Sequence, residues 1–405
     1  MSEFKEYTVQ DVISLVIDYR GKTPKKLGGD WSEYGYRALS AKNVKTGKIV
    51  QSDTIRFVSE DMYKKWMKDE IERGDIFITS EAPFGQIFFW DSDEKIVLSQ
   101  RLFAVRTKKE FYNKYIYFYM TTPLFQAELE NRSTGTTVTG LRQPELLKTT
   151  ICAPTYETQV KIADFLYDIE KKINVNEEIN RNLQEQAKAL YKSWFVDYDP
   201  FDSEMPDDWN IGTVDDLACD IICGKTPSTK KEEYYGDEVP FVTIPDMHGC
   251  VYTIKTQRKL STLGAETQRG KMLPKNTVCV SCIGTAGLVS LVPVQSQTNQ
   301  QINSIIPKTG FSPYYIYLLM LTMGETINKL GQGGSTIVNL NKTQFGKMEV
   351  LIPTMSVMKD FDNIVQPMFE QILLNQIESI RLEEIRDTLL PKLMTGELDV
   401  SDLDI

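Results

Sequence analysis

The sequence predicts an α/β fold of the α+β kind. It has two tandem strand-rich globular units, each followed by a long helix, and the two helices pair as an antiparallel coiled coil with approximate two-fold symmetry. Three observations predict it. A repeat with a period near 200 residues runs through the whole 405-residue chain. The first three quarters of each copy consist of short β-branched and aromatic runs punctuated by Gly, Pro and Asn. The last quarter, Glu157 to Phe195 and again Ser356 to Leu393, lacks Gly and spaces apolar residues at alternating steps of four and three, the seam of a coiled coil.

Matched landmarks trace the repeat. Gly21-Lys22-Thr23-Pro24 returns as Gly224-Lys225-Thr226-Pro227, an offset of 203. The strand-like runs 76–85 and 278–287 both end in Gly at an offset of 202, and Gln100 aligns with Gln300. Residues 111–120 (FYNKYIYFYM) answer 311–320 (FSPYYIYLLM), Gly-rich turns follow at 135–141 and 334–340, and Ala153-Pro154 answers Ile352-Pro353 at 199. A few loop insertions produce such a drift. Within the first unit, Glu60–Met67 and Tyr112–Leu129 have helical spacing. The expected segments are a first globular domain at 1–155, a central spacer helix and linker at 156–200, a second globular domain at 201–355, and a C-terminal spacer helix and tail at 356–405.

The first seam reads Ile162, Leu166, Ile169, Ile173, Asn176, Asn180, Leu183, Ala187, Leu190 and Trp194. The second, displaced by 199, reads Phe361, Val365, Met368, Ile372, Asn375, Ser379, Leu382, Arg386, Leu389 and Leu393. At 1.5 Å per residue each helix spans about 55–60 Å. Two units that each trail an amphipathic helix bury both helices by pairing them, and antiparallel pairing generates the two-fold relation. The polar patch Asn176/Asn180 and Asn375/Ser379 has two readings: buried amides that fix register and partner, or side chains solvated at a gap in the seam. Pro367 is expected to kink the second helix near its start.

Composition narrows the function. The longest apolar stretch, Tyr314–Leu321, is far below the roughly 18 residues of a membrane span, and the start of the chain is acidic and polar, so a cytoplasmic protein without membrane partners is expected. Six Cys are too sparse for a disulfide scaffold. The single histidine, His248, removes His-rich metal sites and leaves one position for a Ser-His or Cys-His pair. Gly-Lys-Thr resembles the end of a phosphate-binding loop, but that motif needs Gly where Val16 and Cys219 stand. No G-x-G-x-x-G opens a helix, and no Asn-Pro-Pro-aromatic or Asp-Pro-Pro-aromatic quartet of an amino-methyltransferase occurs. Zinc at Cys219/Cys223 or Cys279/Cys282 is disfavoured, because Cys279 and Cys282 align with Phe77 and Ser80; Cys279 reads as a buried strand residue. No catalytic residue, metal ligand or cofactor is therefore assigned to this chain.

A family resemblance rests on the tandem plan together with four stretches. These are the two Gly-Lys-Thr-Pro turns, the lead-in Pro206-Asp207-Asp208-Trp209 to the second unit, and the closing Leu390-Pro391-Lys392-Leu393-Met394-Thr395-Gly396-Glu397-Leu398. Over essentially its whole length the chain resembles the specificity subunit of Type I restriction-modification enzymes. It departs in one respect: nothing like Pro206–Trp209 precedes Tyr7-Thr8-Val9, so the first domain starts bare. The resemblance implies that each globule is a target-recognition domain reading one half of a bipartite, asymmetric site on double-stranded DNA. It implies that the paired helices set the gap and dock two adenine-N6 methyltransferase subunits, with helicase-nuclease restriction subunits joining the assembly. It also implies that S-adenosylmethionine, ATP and magnesium act on those partners, and that this chain is non-catalytic. Two other readings stay open: a nuclease or methyltransferase with an unrecognised site, and a coiled-coil adaptor without DNA contact.

Reading bases calls for Arg or Lys toward guanine and Asn or Gln toward adenine, with basic and hydroxyl groups on phosphates. The candidates lie in polar turns of both units. In the first they are Lys22, Thr23, Lys25, Lys26, Arg37, Lys42, Asn43, Lys45, Ser80, Gln100, Arg101, Arg132, Thr134 and Thr136. In the second they are Lys225, Thr226, Ser228, Lys230, Lys231, Asp246, His248, Thr285, Gln300, Gln301, Ser335, Thr336 and Asn339. Each also has a plain structural reading, such as a turn that only starts a loop. Tyr112, Tyr115, Tyr117, Phe118 and their matches Tyr314, Tyr315 and Tyr317 recur at helical spacing and read as core, not as base-stacking platforms.

The net charge of −10, from 46 Lys+Arg against 56 Asp+Glu, opposes a non-specific phosphate binder. Its distribution is uneven: residues 1–154 carry +2, 155–200 carry −3, 201–353 carry −2 and 354–405 carry −7. Within the second globule, 241–353 holds +10 and −4 while 201–240 holds +3 and −11. The acidity thus sits on the helices and linker, surfaces suited to protein partners, and the chain alone is expected to bind DNA weakly.

Overall fold

The computed structural model describes residues 4–134, 140–332 and 339–400. The first copy opens with β1 (Lys5–Thr8), α1 (Val9–Val12), β2 (Ile13–Asp18), β3 (Tyr36–Leu39), the hairpin β4 (Val44–Lys45) and β5 (Lys48–Ile49), β6 (Arg56–Val58) and α2 (Glu60–Trp66). It continues through β7 (Ile76–Thr79), β8 (Ile87–Phe89), β9 (Val97–Leu98), β10 (Leu102–Thr107), α3 (Asn113–Thr121), α4 (Pro123–Asn131), α5 (Gln143–Leu147), β11 (Thr150–Ala153) and α6 (Tyr156–Phe195). The second copy runs β12 (Asn210–Thr213), α7 (Val214–Leu217), β13 (Ala218–Cys223), β14 (Tyr235–Val242), β15 (Arg258–Leu260), α8 (Thr262–Glu266), β16 (Val278–Ser281) and β17 (Val289–Leu291). It ends with β18 (Gln297–Thr298), β19 (Ile302–Pro307), α9 (Pro313–Thr322), α10 (Gly324–Gln332), α11 (Lys342–Gly346), β20 (Glu349–Ile352) and α12 (Met355–Met394). Apart from the β4–β5 hairpin, the copies correspond element for element.

Both copies begin with the same capping box. Thr8 caps α1 while Asp11 accepts the Thr8 backbone N–H at 2.9 Å, and Thr213 and Asp216 repeat this at 2.8 Å. The two copies therefore start on a matched motif, and the lead-in to the second places Trp209 against Phe195 and Phe201 with ring centroids 5.6 and 5.0 Å away. The chain divides into two compact units, residues 1–173 with 381–405, and residues 174–380. Each unit thus combines one globule with part of α6 and part of α12.

In the first unit, the antiparallel sheet β2-β10-β7-β8 is covered on both faces. Ile76, Ile78, Phe103 and Val105 face α3 and the long helices, where Ile162, Ala163 and Leu166 of α6 share a core with Leu390, Leu393 and Met394 of α12. The alternate residues Phe77, Leu102 and Ala104 face α2 and the sheet β6-β3-β9. A strand covered on both sides needs apolar residues at every position, hence the unbroken run at 76–78. The single helix expected over Tyr112–Leu129 is two. Pro123 excludes helical backbone at Thr122 (ψ 148°), whose hydroxyl then caps α4 through the Phe125 N–H. Tyr115, Tyr117 and Phe118 are buried, as the helical spacing predicted. Tyr117 donates to Glu170 of α6 at 2.6 Å. Burial pushes the Glu170 carboxyl up, while the Tyr117 hydrogen bond and the Arg386 charge pull the other way.

The second unit repeats the sheet as β13-β19-β16-β17, with Val278, Val280 and Ile305 toward α9 and the helices, and Cys279 and Ile302 on the other face. Cys279 is the fully buried strand residue expected. The helices run antiparallel: Phe195 meets Phe361 with centroids 4.9 Å apart, Asn180 meets Asn375, and Asn176 meets Glu378 and Ser379. The asparagine patch is buried, with Asn176 at 0 % exposure. Asn375 Nδ2 donates to Asn180 Oδ1 at 2.9 Å, Asn176 Nδ2 to Glu378 Oε2 at 2.7 Å, and Gln371 Nε2 to Asn375 Oδ1 at 2.7 Å. Helix α12 stays continuous through Pro367. Where Glu170 stands in the first copy the second has Phe369, stacked on Tyr314 at 4.6 Å and edge-on to Tyr317 at 5.4 Å. No helix among the described residues is long and apolar enough to cross a membrane.

Asn375→Leu leaves Asn180 Oδ1 without its donor and is expected to cost about 1–3 kcal/mol. The double variant Asn180→Leu/Asn375→Leu should recover most of that loss in denaturant unfolding, at the expense of register. For Glu170, a carboxyl raised in the folded state gives its full stability below the ordinary value of 4.5 and loses it as pH rises through the raised value. Glu170→Gln keeps an acceptor for Tyr117 without the charge. It should melt close to wild type in acid and above it at neutral pH, which paired thermal melts across that range would check.

Candidate nucleic-acid interface

At one end of each four-stranded sheet, loops from four places in the chain converge. In the first unit these are the segment after β2, the turn Ala41–Asn43 after β3, the β7–β8 loop from Ser80, and the β9–β10 turn Ser99–Arg101. Backbone bonds join them: Ser80 N–H to Arg101 O (2.9 Å), Leu141 N–H to Ser80 O (2.9 Å) and Ala41 N–H to Gln100 O (3.1 Å). The second unit repeats the pattern, with Cys282 N–H to Gln301 O (2.8 Å) and Leu340 N–H to Cys282 O (3.0 Å). Even the side-chain pin on the last loop has a counterpart: Arg20 Nη1 donates to Leu141 O at 3.0 Å and Asn303 Nδ2 to Leu340 O at 3.2 Å. Two recesses flank the first cluster. One, of about 280 Å³, is lined by Trp31, Lys42 and Arg56, and the other, of about 530 Å³, by Tyr19, Lys22 and Glu81; Gln100 and Arg101 border both.

Several candidates on or beside these loops have exposed side chains. Lys25, Lys42, Lys45 and Gln100 are exposed in the first unit, as are Lys225, Ser228, Lys230, His248, Thr285, Gln300 and Asn339 in the second. Thr226 Oγ1 donates to Gln300 Oε1 at 2.8 Å, which joins the Gly-Lys-Thr-Pro turn to the β18–β19 turn. Gln301 accepts from Asn299 at 3.0 Å. Arg101 pairs with Glu81 at 3.2 Å.

Others serve the fold. Asn43 is 1 % exposed; its Oδ1 accepts from Ser40 and its Nδ2 donates to Gln51 O and Thr54 Oγ1. Asp246 fills the same capping position opposite Thr243 and also accepts the Gln257 N–H at 2.8 Å. Ser80 is buried. Lys22 donates to Trp66 O at 2.8 Å and lies over the Tyr19 ring, and partial burial holds its ammonium below the ordinary lysine value. Lys26 donates to Gly21 O, and Thr23 accepts the Lys26 N–H. Arg37 is paired with Glu94, Arg132 with Glu128, and Lys231 with the Tyr234 hydroxyl. Thr134 bridges to Gly140 through the backbone. Thr136, Ser335 and Thr336 lie outside the described residues. Of the helix-pairing candidates, Ile162, Leu166, Ile169, Ile173, Asn176, Phe361, Val365, Ile372 and Asn375 are buried, while Leu183, Leu190, Met368, Leu382 and Leu389 are partly buried. Trp31 and Arg56 were missed. Arg56 and Arg258 stand at the 202 offset, one on β6 and one on β15, a match the sequence offered. Among the described residues, no group of three or more His, Cys, Asp or Glu is placed to hold a metal ion.

The model of the Type I restriction modification DNA specificity domain matches twice, at residues 1–185 and 206–384. The chain belongs to the Type I restriction-modification DNA specificity family. It is 33% identical to the Type I restriction enzyme HindI specificity subunit of Haemophilus influenzae, over 82% of this chain and 88% of that one. It is 25% identical to the MjaIX specificity subunit of Methanocaldococcus jannaschii, over 94% and 87%. The crystal structure of a Type I restriction-modification S subunit from M. genitalium shares the fold at a TM-score of 0.66 and 15% identity, covering 97% of this chain and 96% of that one. As a specificity subunit the chain recognises DNA sequence through its two domains.

Neighbouring residues separate the two roles within one turn. Asn43→Ala should cost about 1–3 kcal/mol in thermal unfolding, because it leaves buried partners unsatisfied. Lys42→Ala should leave stability within about 0.5 kcal/mol and weaken DNA binding by the assembled complex, measured by anisotropy.

Proposed function

We propose that this specificity subunit reads a bipartite, asymmetric DNA target, one half with each loop cluster, and carries no catalytic site of its own. The carrying observation is the duplicated cluster: the bonds Ser80 to Arg101 and Leu141 to Ser80 recur as Cys282 to Gln301 and Leu340 to Cys282, while the tip residues differ, Gln100-Arg101 against Gln300-Gln301. Equal scaffolds with unequal side chains suit two unequal half-sites. In this reading the long helices set the gap between half-sites and dock two adenine-N6 methyltransferase subunits, and restriction subunits join that complex. S-adenosylmethionine, ATP and magnesium then belong to those partners.

The test is co-expression with the modification partner in a host lacking the methylation, followed by sequencing for methylated adenine. A bipartite asymmetric motif with a fixed gap is expected, and a continuous or palindromic site would count against two distinct readers. Deleting one paired heptad from α6 and α12, about 10 Å of helix, should shorten the gap by roughly three base pairs and leave both half-sequences intact.

A further inference from the structure

We propose that Arg101 reads a guanine within the half-site of the first domain and that Glu81 positions it, an inference that rests on the DNA-recognition reading above. Arg101 stands at the tip of the β9–β10 turn with a left-handed backbone (φ 63°), a conformation disfavoured for a residue bearing a Cβ. Backbone bonds at its own carbonyl and at that of Gln100 hold this turn. The side chain is half exposed and lies on the border of both recesses.

What distinguishes Arg101 is how its donors are used. Glu81 Oε1 lies 3.2 Å from Nε as an ion pair, and among the described residues no hydrogen bond engages Nη1 or Nη2. Nearby arginines are spent on the fold. Arg20 gives Nε and Nη2 to Asp18 and Nη1 to Leu141 O, and Arg37 gives Nε and Nη2 to Glu94. A guanidinium whose carboxylate partner stands at its Nε side keeps its end-on pair of N–H groups free. That pair is the fork that matches O6 and N7 of guanine in the major groove. The second domain changes this chemistry at the same turn: Gln301 replaces Arg101, Asn299 braces it at 3.0 Å, and Ile283 stands where Glu81 does. The guanine reader is thus confined to one half-site.

The experiment sequences methylated adenine produced by the complete complex with wild-type chain and with Arg101→Gln, Arg101→Lys and Glu81→Gln. Arg101→Gln and Arg101→Lys should each lose about tenfold to hundredfold discrimination at one guanine of one half-site, with the gap and the other half unchanged. Glu81→Gln should relax the same position partially. Arg101→Asn, which tolerates the left-handed backbone, guards against a folding defect: a wild-type melting temperature with the same lost position supports the assignment. An unchanged motif at reduced yield in all variants would make Arg101 a phosphate contact and overturn it, as would relaxation in both halves. A wild-type complex that methylates no bipartite site would instead refute the recognition reading itself.

Discussion

The double burial of the four-stranded sheet is the constraint on which the rest of each unit depends. In β10, Phe103 and Val105 belong to one core, Leu102 and Ala104 to another, and all four are buried. A one-residue slip would exchange the two sets between faces that fit neither. Each buried aromatic or aliphatic side chain contributes roughly 1.5–3 kcal/mol, so the register is strongly held. Because the register is held, the turn that precedes β10 is held too. The bonds from Ser80 to Arg101 and from Cys282 to Gln301 recur at 2.9 and 2.8 Å although both residues of the pair differ between the copies. A rigid tip with free side chains is what sequence-selective contact requires.

The long helices solve a second problem, and differently in the two units. Where α6 and α12 meet in the second unit, the seam is broken by amides: Gln371, Asn375 and Asn180 form one chain of bonds, while Asn176 donates to Glu378 and its Oδ1 is buried without a hydrogen-bond partner among the described residues. In the first unit a buried carboxyl stands beside the seam instead, that of Glu170, 7 % exposed and bonded by Tyr117. A neutral amide is tolerated in such a place at lower cost than an ionised group. The phenylalanine that replaces Glu170 in the other copy removes the cost altogether and packs two tyrosines instead. Two copies of one architecture have therefore diverged in their helical cores as well as at their loop tips.

The long helices were legible because forty residues of 3.5-residue periodicity leave no competing interpretation. The duplication was legible because landmarks recur at nearly constant offsets. Candidate loops were found, but single members were not separable, since the polar groups that cap a turn are those that contact a base. Asn43 and Asp246 show this. Both sit in polar turns and both look like base readers, yet each is the fourth residue of a capping box whose first residue, Ser40 or Thr243, is an unremarkable hydroxyl. Lys22 failed to stand out for a related reason: the carbonyl it binds belongs to Trp66, forty-four residues on, which local pattern does not reveal. The division of Tyr112–Leu129 was within reach, because Pro123 marks it.

The charge distribution acquires a sharper meaning beside these contacts. Among the first unit's arginines, Arg20, Arg37, Arg73, Arg106 and Arg132 neutralise carboxylates within the fold, so a large share of its positive charge adds little outward field. What remains outward at the loops is a small set of cations, with Lys25, Lys42, Lys45, Arg56 and Arg101 in one unit and Lys225, Lys230 and Arg258 in the other. Each phosphate neutralised contributes to affinity but carries no sequence information, whereas each base contact carries information at modest gain in affinity. A surface with few free cations and several positioned amides and hydroxyls discriminates better than it attracts. On the proposed reading, weak attraction would have its own advantage for a subunit that must sort sites: non-specific duplex would compete less, and recognition would fall to the loop tips that the buried sheets hold in place.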